Sequence, residues 1–128
     1  MKAILIMGST SDEPHAKKIT NKLDEYDIAW EQHAASAHKQ PLKVLDILTA
    51  NKDGKDIVYI TIAGRSNALS GFVAANCEFP TLGCPPFSDK ADMMVNIHSP
   101  LQMPSNTPVL TVIDPGNCAL AVKRIFGV

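Results

Sequence analysis

The chain has 128 residues, of which 45% are apolar and 20% are charged, and its net charge at pH 7 is −1. These values are typical of a globular chain that can bury a core of its own, and we expect residues 1–128 to form a single domain. Because there is no basic cluster and no apolar run longer than a strand, the sequence argues against a nucleic-acid partner and against a membrane span.

The first elements of the chain are predicted to be a strand, a helix and a second strand. A continuous apolar run predicts a buried parallel strand at residues 3–7. Apolar residues at helical spacing predict a helix at 13–26, for which Asp12 is a good N-cap. Alternating apolar and polar side chains at 28–33 predict the second strand.

The middle of the chain continues this alternation. Pro41 is suited to the first turn of a helix, which we expect to end near residues 51–54. The apolar face of this helix is predicted to contain Leu42, Leu45 and Leu48. The run at 57–63 predicts the strongest strand in the sequence, and a short helix is expected at 68–77.

The last third of the chain is less regular. A short strand is predicted at 81–84. Residues 85–108 hold five of the nine prolines, which indicates a loop region with at most a short helix at 90–96. A last strand is expected at 109–113 and a last helix at 119–126.

Strands that alternate with helices predict an α/β fold in which a parallel sheet is covered by helices on both faces. The crossovers between the strands are expected to be right-handed. Ligands of such sheets bind outside the carboxyl ends of the strands. A functional site is therefore expected in the loops that follow the predicted strands.

Neither the cysteines nor the histidines predict a metal site. The cysteines are odd in number and widely spaced, which is typical of neither a disulfide framework nor a zinc site: Cys77, Cys84 and Cys118. The histidines show no ligand spacing, and His15 lies outside the apolar stripe of its predicted helix. Met1 leads directly into a strand, without the cleavage site of a signal peptide. We therefore expect a protein of the reducing cytoplasm that needs no metal.

The loop after the first strand, residues 8–12, reads Gly-Ser-Thr-Ser-Asp. The hydroxyls of Ser9 and Ser11 and the N–H groups at a helix start suit a phosphate, and Asp12 could accept hydrogen bonds from ribose hydroxyls. The same residue types are also common at ordinary capped helix starts. The loop is not a P-loop, because it lacks the Gly-Lys-Ser/Thr ending.

Two further strand-end loops carry polar residues. Residues 36–41 read Ser-Ala-His-Lys-Gln-Pro, in which His38 can move a proton near neutral pH and Lys39 could bind a phosphate or carboxylate. Residues 64–67 read Gly-Arg-Ser-Asn, a plausible anion-receiving turn. Taken singly, these segments could equally be a solvated loop and a surface ion pair of Arg65. Because three polar loops meet at the same edge of one sheet, together they predict a ligand site.

These three loops resemble the PurE family, the aminoimidazole ribonucleotide carboxylases and mutases. The matching runs are 7–12, 36–39 and 63–67, and the segments 84–86 and 101–105 are also similar to family segments. Five motifs in the correct order across nearly the whole chain make a specific resemblance.

Within that family the sequence resembles the carbon-dioxide-using type, class II. The mutase type typically has a second His in its third loop and an Arg where Lys39 stands here, whereas no His lies between His38 and His98 in this chain. The resemblance implies direct carboxylation of aminoimidazole ribonucleotide in purine biosynthesis, without ATP, biotin or metal. A mutase that takes the carbamate and a non-enzymatic nucleotide-binding module are the alternatives. A phosphate-accepting signalling domain would need a cluster of acids that the strand ends lack.

The resemblance also implies a flavodoxin-like three-layer α/β/α sandwich and a homo-oligomer, an octamer whose sites are shared between subunits. Family members usually continue into a further C-terminal helix that packs on a neighbouring subunit, whereas this sequence ends at Val128. Because that helix takes part in subunit packing, this difference bears on the expected octamer.

The resemblance implies roles for individual residues. The phosphate and ribose would be held by Ser9, Ser11, Asp12, Ser36 and Lys39. Gly64 and Ser66 would place the carbon dioxide and later the carboxylate, with Lys39 as an electrostatic partner. His38 would remove the proton from the ring carbon that has been carboxylated.

Overall fold

The computed structural model describes residues 1–128 and consists of a parallel β-sheet with helices on both faces. The five strands are β1 (Lys2–Met7), β2 (Ala29–Ala34), β3 (Ile57–Ile62), β4 (Thr81–Gly83) and β5 (Leu110–Thr111). They lie in the order β2-β1-β3-β4-β5, and every neighbouring pair is parallel. This is the strand order of flavodoxin-like folds, so the predicted fold class is confirmed.

Six α-helices accompany the strands. They are α1 (Glu13–Glu25), α2 (Pro41–Ala50), α3 (Leu69–Ala75), α4 (Lys90–Asn96), α5 (His98–Leu101) and α6 (Pro115–Phe126). A 3₁₀ turn at Thr10–Asp12 leads into the first of them. None of these helices is long and apolar enough to cross a membrane.

The helices form one layer on each face of the sheet. Successive side chains of a strand point to opposite faces, so that in β1 Leu5 packs with α1 and α6 whereas Ile4 packs with α2 and α3. All residues of β3 are buried as well. Burial on both faces explains why β1 and β3 carry the clearest apolar runs in the sequence.

The apolar face of α2 differs from the predicted one. Leu42 is 74% exposed and Leu45 is 38% exposed, so that only Leu48 of the three predicted leucines is buried. Its buried companions are Val44 and Ile47. Residues spaced by three drift around a helix by about 60° at each step, whereas positions i, i+3 and i+4 share one face. Leu48 therefore belongs to the buried stripe, Leu45 lies at its edge, and Leu42 faces away from it.

Capping residues account for helix starts in the second half of the chain. α6 begins at Pro115, earlier than predicted, because the Asp114 carboxylate accepts a 2.8 Å hydrogen bond from an N–H of its first turn. Asp89 caps α4 in the same way, also at 2.8 Å. The region 85–108 thus contains the predicted short helix and, in addition, α5, which was not predicted.

Candidate active site

A cleft of about 570 Å³ lies at the carboxyl edge of the sheet, a volume that suits a small-molecule ligand. It is placed where α1 follows β1 on one face and α3 follows β3 on the other, so that the loops after these adjacent strands diverge. The predicted site residues that line it are Ser9, Ser11, Asp12, Ser36, His38, Gly64 and Ser66. The three polar loops therefore meet in space, as the sequence predicts.

The loop after β1 is shaped by its own serines. Ser9 Oγ accepts a hydrogen bond from the Ser11 N–H at 3.2 Å and lies 2.9 Å from Ser11 Oγ. Ser9 thus caps the 3₁₀ turn that leads into α1. Its hydroxyl and that of Ser11 are both exposed at the mouth of the cleft, where they could bind an anion.

Asp12 occupies the N-cap position of α1, but its side chain makes no capping hydrogen bond, so that part of the prediction is wrong. Its backbone is already helical (φ −87°, ψ −1°) because the 3₁₀ turn continues directly into α1, whereas a capping residue needs an extended backbone. Burial raises the pKa of Asp12, and His15 and the Ser9 backbone offset this only in part. Because it makes no capping bond, the carboxyl group remains available to a ligand in the cleft.

The loop after β2 turns sharply before α2. Ser36 accepts two hydrogen bonds from it, one to its Oγ from the Lys39 N–H at 3.2 Å and one to its carbonyl from the Gln40 N–H at 2.7 Å. This turn presents His38 to the cleft. The exposed Lys39 is not among the residues that line the cleft, and its contact with a predicted site residue is the backbone hydrogen bond to Ser36.

The loop after β3 is held by hydrogen bonds at its end, and its Arg65 side chain reaches toward α4. At its end, Asn67 Oδ1 accepts hydrogen bonds from the N–H groups of Leu69 and Ser70 at 2.9 and 3.2 Å, which satisfies two backbone donors at the start of α3. The Arg65 guanidinium lies 3.5 Å from Asp92, but its side chain is 73% exposed, and such a pair contributes little to stability. Ser66 lies between these two residues, exposed and facing the cleft.

His15 is buried, contrary to the prediction that it lies outside the apolar stripe of α1. The residue is only 7% exposed, and its Nε2 lies 3.6 Å from Cys84 Sγ. Its ring meets the Phe87 ring edge-on, with 5.7 Å between the ring centroids. A hydrogen bond with Cys118 and a weaker one with His15 lower the pKa of the Cys84 thiol. The hydrogen bond with Cys84, together with burial, raises the pKa of Cys118. The segment after β4 forms this environment by folding over α1.

Sequence reasoning missed several cleft residues besides His15. Lys18 lies on α1 one turn beyond His15, and a polar spacing of three from Asp12 could have revealed both. Asp92 and Asn96 lie on α4, whose start is signalled in the sequence by its capping residues. Nothing in the sequence indicates that α4 packs beside the loop after β3.

Comparison with known proteins places the chain. The sequence model of the AIR carboxylase family matches residues 2–128. A phosphoribosylaminoimidazole carboxylase of Archaeoglobus fulgidus is 48% identical over 126 residues, which are 98% of this chain and 69% of that protein. A phosphoribosylaminoimidazole carboxylase of Treponema denticola is 43% identical over 124 residues, 96% of this chain and 77% of that protein. The crystal structure of Treponema denticola PurE matches with a TM-score of 0.92 at 42% identity, covering 98% of this chain and 79% of that one.

Proposed function

The chain belongs to the AIR carboxylase family of purine biosynthesis, and we propose that residues 1–128, as one domain, carboxylate aminoimidazole ribonucleotide (AIR) directly with carbon dioxide and without ATP. The observation that carries this proposal is the cleft in which the serine loop, His38 and the loop 64–67 meet. The choice of carbon dioxide as donor rests on the loop 64–67, which has hydroxyl and backbone donors and no second His.

The serine loop is the proposed nucleotide end of the cleft. Ser9 and Ser11 present hydroxyls to the phosphate, and Asp12 accepts hydrogen bonds from the ribose hydroxyls. Lys18 adds a positive charge on the same side and is not engaged in an ion pair. Ser36 lines the cleft at this end from the loop after β2. Lys39 remains a proposed electrostatic partner of the substrate, for which its side chain would have to turn toward the cleft.

The chemistry needs a nucleophilic ring carbon, a donor set for carbon dioxide and a base. The amine of AIR makes its neighbouring ring carbon electron-rich, so the carbon can form a bond to the carbon atom of carbon dioxide while one C=O electron pair moves onto oxygen. Gly64 N–H and Ser66 Oγ stabilise this developing negative charge. His38 then takes the proton from the ring carbon, which restores aromaticity, and the reverse reaction uses the same group as an acid.

The proposed donor is tested by initial rates with AIR and dissolved carbon dioxide, and separately with the N-carboxy carbamate of AIR in carbon-dioxide-free buffer. We expect the rate to rise with carbon dioxide, to need no ATP and to be negligible with the carbamate. Efficient conversion of the carbamate without carbon dioxide would show instead that the chain is a mutase. Tight AIR binding without turnover of either substrate would leave only a nucleotide-binding module.

Asp12→Ala tests the proposed ribose contact. Loss of a hydrogen bond to a charged group typically removes about 1.5–3 kcal/mol, so AIR binding should weaken by about ten- to a hundredfold in calorimetry. Because the side chain makes no capping bond, the loss of ~1 kcal/mol that is typical of a lost cap is not expected. The matched control is Asp53→Ala, which removes an exposed carboxylate outside the cleft.

The raised pKa of Asp12 fixes how the same variant responds to pH. A carboxyl whose pKa is raised on folding destabilises the folded state when it is ionised, and this cost disappears as the pH falls and the group is protonated. The free energy of unfolding of Asp12→Ala, compared with that of wild type, should therefore be most favourable at neutral pH. This advantage should be lost as the pH falls through the folded-state pKa of Asp12, which denaturant unfolding at a series of pH values would measure. Unchanged AIR affinity in the variant would contradict the ribose role.

We also propose that the chain forms a homo-oligomer. Large apolar side chains remain exposed on its surface, among them Leu42, Met94, Val95, Leu101 and Leu110. Met94, Val95 and Leu101 lie on the successive helices α4 and α5, and apolar side chains grouped in this way are typical of surfaces that associate. Light scattering would give the number of subunits, and a monomer at micromolar concentration would contradict the proposal.

A further inference from the structure

The side chain of Asn96, at the end of α4, connects two segments at the wall of the cleft. Its Nδ2 donates a hydrogen bond to the Pro86 carbonyl at 2.7 Å, and its Oδ1 accepts one from the Arg65 N–H at 2.9 Å. The residue is only 4% exposed. Because both polar atoms of the amide are bonded within the protein, Asn96 acts on the cleft through Arg65 and Pro86.

The backbone that Asn96 holds is in an unfavourable conformation. Arg65 has a φ of +57°, in the left-handed region that residues with a Cβ rarely adopt. Such a conformation persists only where surrounding contacts enforce it. Here Asn96 binds the Arg65 N–H, while Ser99 Oγ donates to the Arg65 carbonyl and accepts from the Asn67 N–H at 3.2 Å. The amide and the carbonyl of Arg65 are thus both fixed by the α4–α5 segment.

Asn96 also packs directly against Gly64. A Cβ placed on Gly64 would lie 3.2–3.3 Å from the amide atoms of Asn96, closer than most side-chain contacts in proteins. The glycine therefore lets the buried amide approach the loop backbone. As a result, the positions of Gly64 and Arg65, and through them that of Ser66, depend on a residue that is distant in the sequence.

We propose that Asn96 is a positioning residue for the carboxylation described above: by holding the Gly64–Arg65 backbone, it aims the donors of Gly64 and Ser66 at the incoming carbon dioxide. The inference rests on the proposed function. Displacements of about 1 Å at a reacting centre can cost on the order of a hundredfold in rate. The nucleotide end should be insensitive, because it is formed by the other two loops.

The test compares Asn96→Ala with Asn96→Asp. In Asn96→Ala we expect kcat at saturating AIR to fall by roughly tenfold to a hundredfold, while AIR affinity, measured by calorimetry without carbon dioxide, stays near wild type. Asn96→Asp keeps an acceptor for the Arg65 N–H, and its buried carboxyl, when protonated, can also donate to the Pro86 carbonyl, so this variant should retain more of the wild-type kcat than the alanine variant does. The matched control is Asn76→Ala, an exposed asparagine outside the cleft that bonds only to its own helix.

Backbone hydrogen exchange gives a second readout that does not depend on turnover. The Arg65 amide proton should exchange faster in Asn96→Ala than in wild type, and more slowly in Asn96→Asp than in Asn96→Ala. If wild type fails to carboxylate AIR, the proposed function fails, and the exchange of Arg65 still decides whether Asn96 holds the loop.

Several results would overturn the inference. These are wild-type kcat in folded Asn96→Ala, equal losses in the alanine and aspartate variants, or unchanged exchange at Arg65. Should Asn96→Ala not fold, Ser99→Ala removes the side-chain hydrogen bond to the Arg65 carbonyl and is expected to lower kcat with little change in AIR affinity. Wild-type kcat in Ser99→Ala would then count against positioning by the α4–α5 segment.

Discussion

Replacement of His38 by Asn is expected to lower kcat for AIR carboxylation by about a hundred- to ten-thousandfold, the usual contribution of a general acid–base group. His38 lines the cleft on a loop that Ser36 folds into a tight turn, so its imidazole lies beside the space in which we propose that AIR binds. Asparagine has a similar polar surface but cannot take up the proton of the carboxylated carbon. The protein should fold and bind AIR as before, because the His38 side chain is exposed and makes no hydrogen bond within the protein.

The measurement is kcat at saturating AIR and carbon dioxide, together with AIR affinity by calorimetry. His33→Asn is the matched control, because His33 lies on β2 outside the cleft and pairs with Glu31 at 2.9 Å. His15 is the other imidazole at the cleft, but it is buried against Cys84 and Phe87. Near wild-type turnover in His38→Asn, combined with a large loss in His15→Asn, would transfer the proton step to His15.

The strands and their polar loops could be predicted because their signals are local. β1 and β3 are buried on both faces, which requires continuous apolar runs, and the residues that follow such strands must lie at the carboxyl edge of the sheet. The three loops were therefore identified with their positions in the fold. The apolar face of α2 was misplaced because the three leucines are centred one residue away from the buried stripe, and one residue turns a helix by about 100°.

The rest of the candidate site depends on contacts between residues far apart in the chain. His15 is buried where the segment after β4 brings Cys84 and Phe87 over α1. Asn96 reaches Arg65 across 31 positions in the sequence, and no periodicity or motif reports that contact. Lys39 illustrates the opposite case, since a residue adjacent to His38 in sequence need not face the same cleft.

Ser66→Ala should reduce kcat for carboxylation by about a hundredfold, the order of magnitude found when one donor to a developing oxyanion is removed. Carbon dioxide is small and neutral, so it offers little for a protein to bind before reaction. Its oxygens become negative as the new carbon–carbon bond forms, and a hydroxyl aimed at them stabilises the transition state more than the ground state. Ser66 is exposed at the cleft and forms no side-chain hydrogen bond within the protein, so its hydroxyl is free for this role.

The loss in Ser66→Ala should therefore appear in kcat and in the dependence on carbon dioxide, with AIR affinity in calorimetry close to wild type. Thr49→Val removes a hydroxyl from the exposed side of α2 and serves as the control, with activity unchanged. A variant that binds AIR poorly but carboxylates normally at saturation would place Ser66 at the nucleotide instead of at the carbon dioxide. Wild-type behaviour in both measurements would remove Ser66 from the site and leave the Gly64 N–H as the donor of this loop.

The contributions of the Ser66 hydroxyl and of the loop backbone can be separated experimentally, because Asn96 and Ser99 fix the backbone at Arg65. Ser66→Ala deletes a donor without moving the loop, whereas Asn96→Ala moves the loop without deleting a donor.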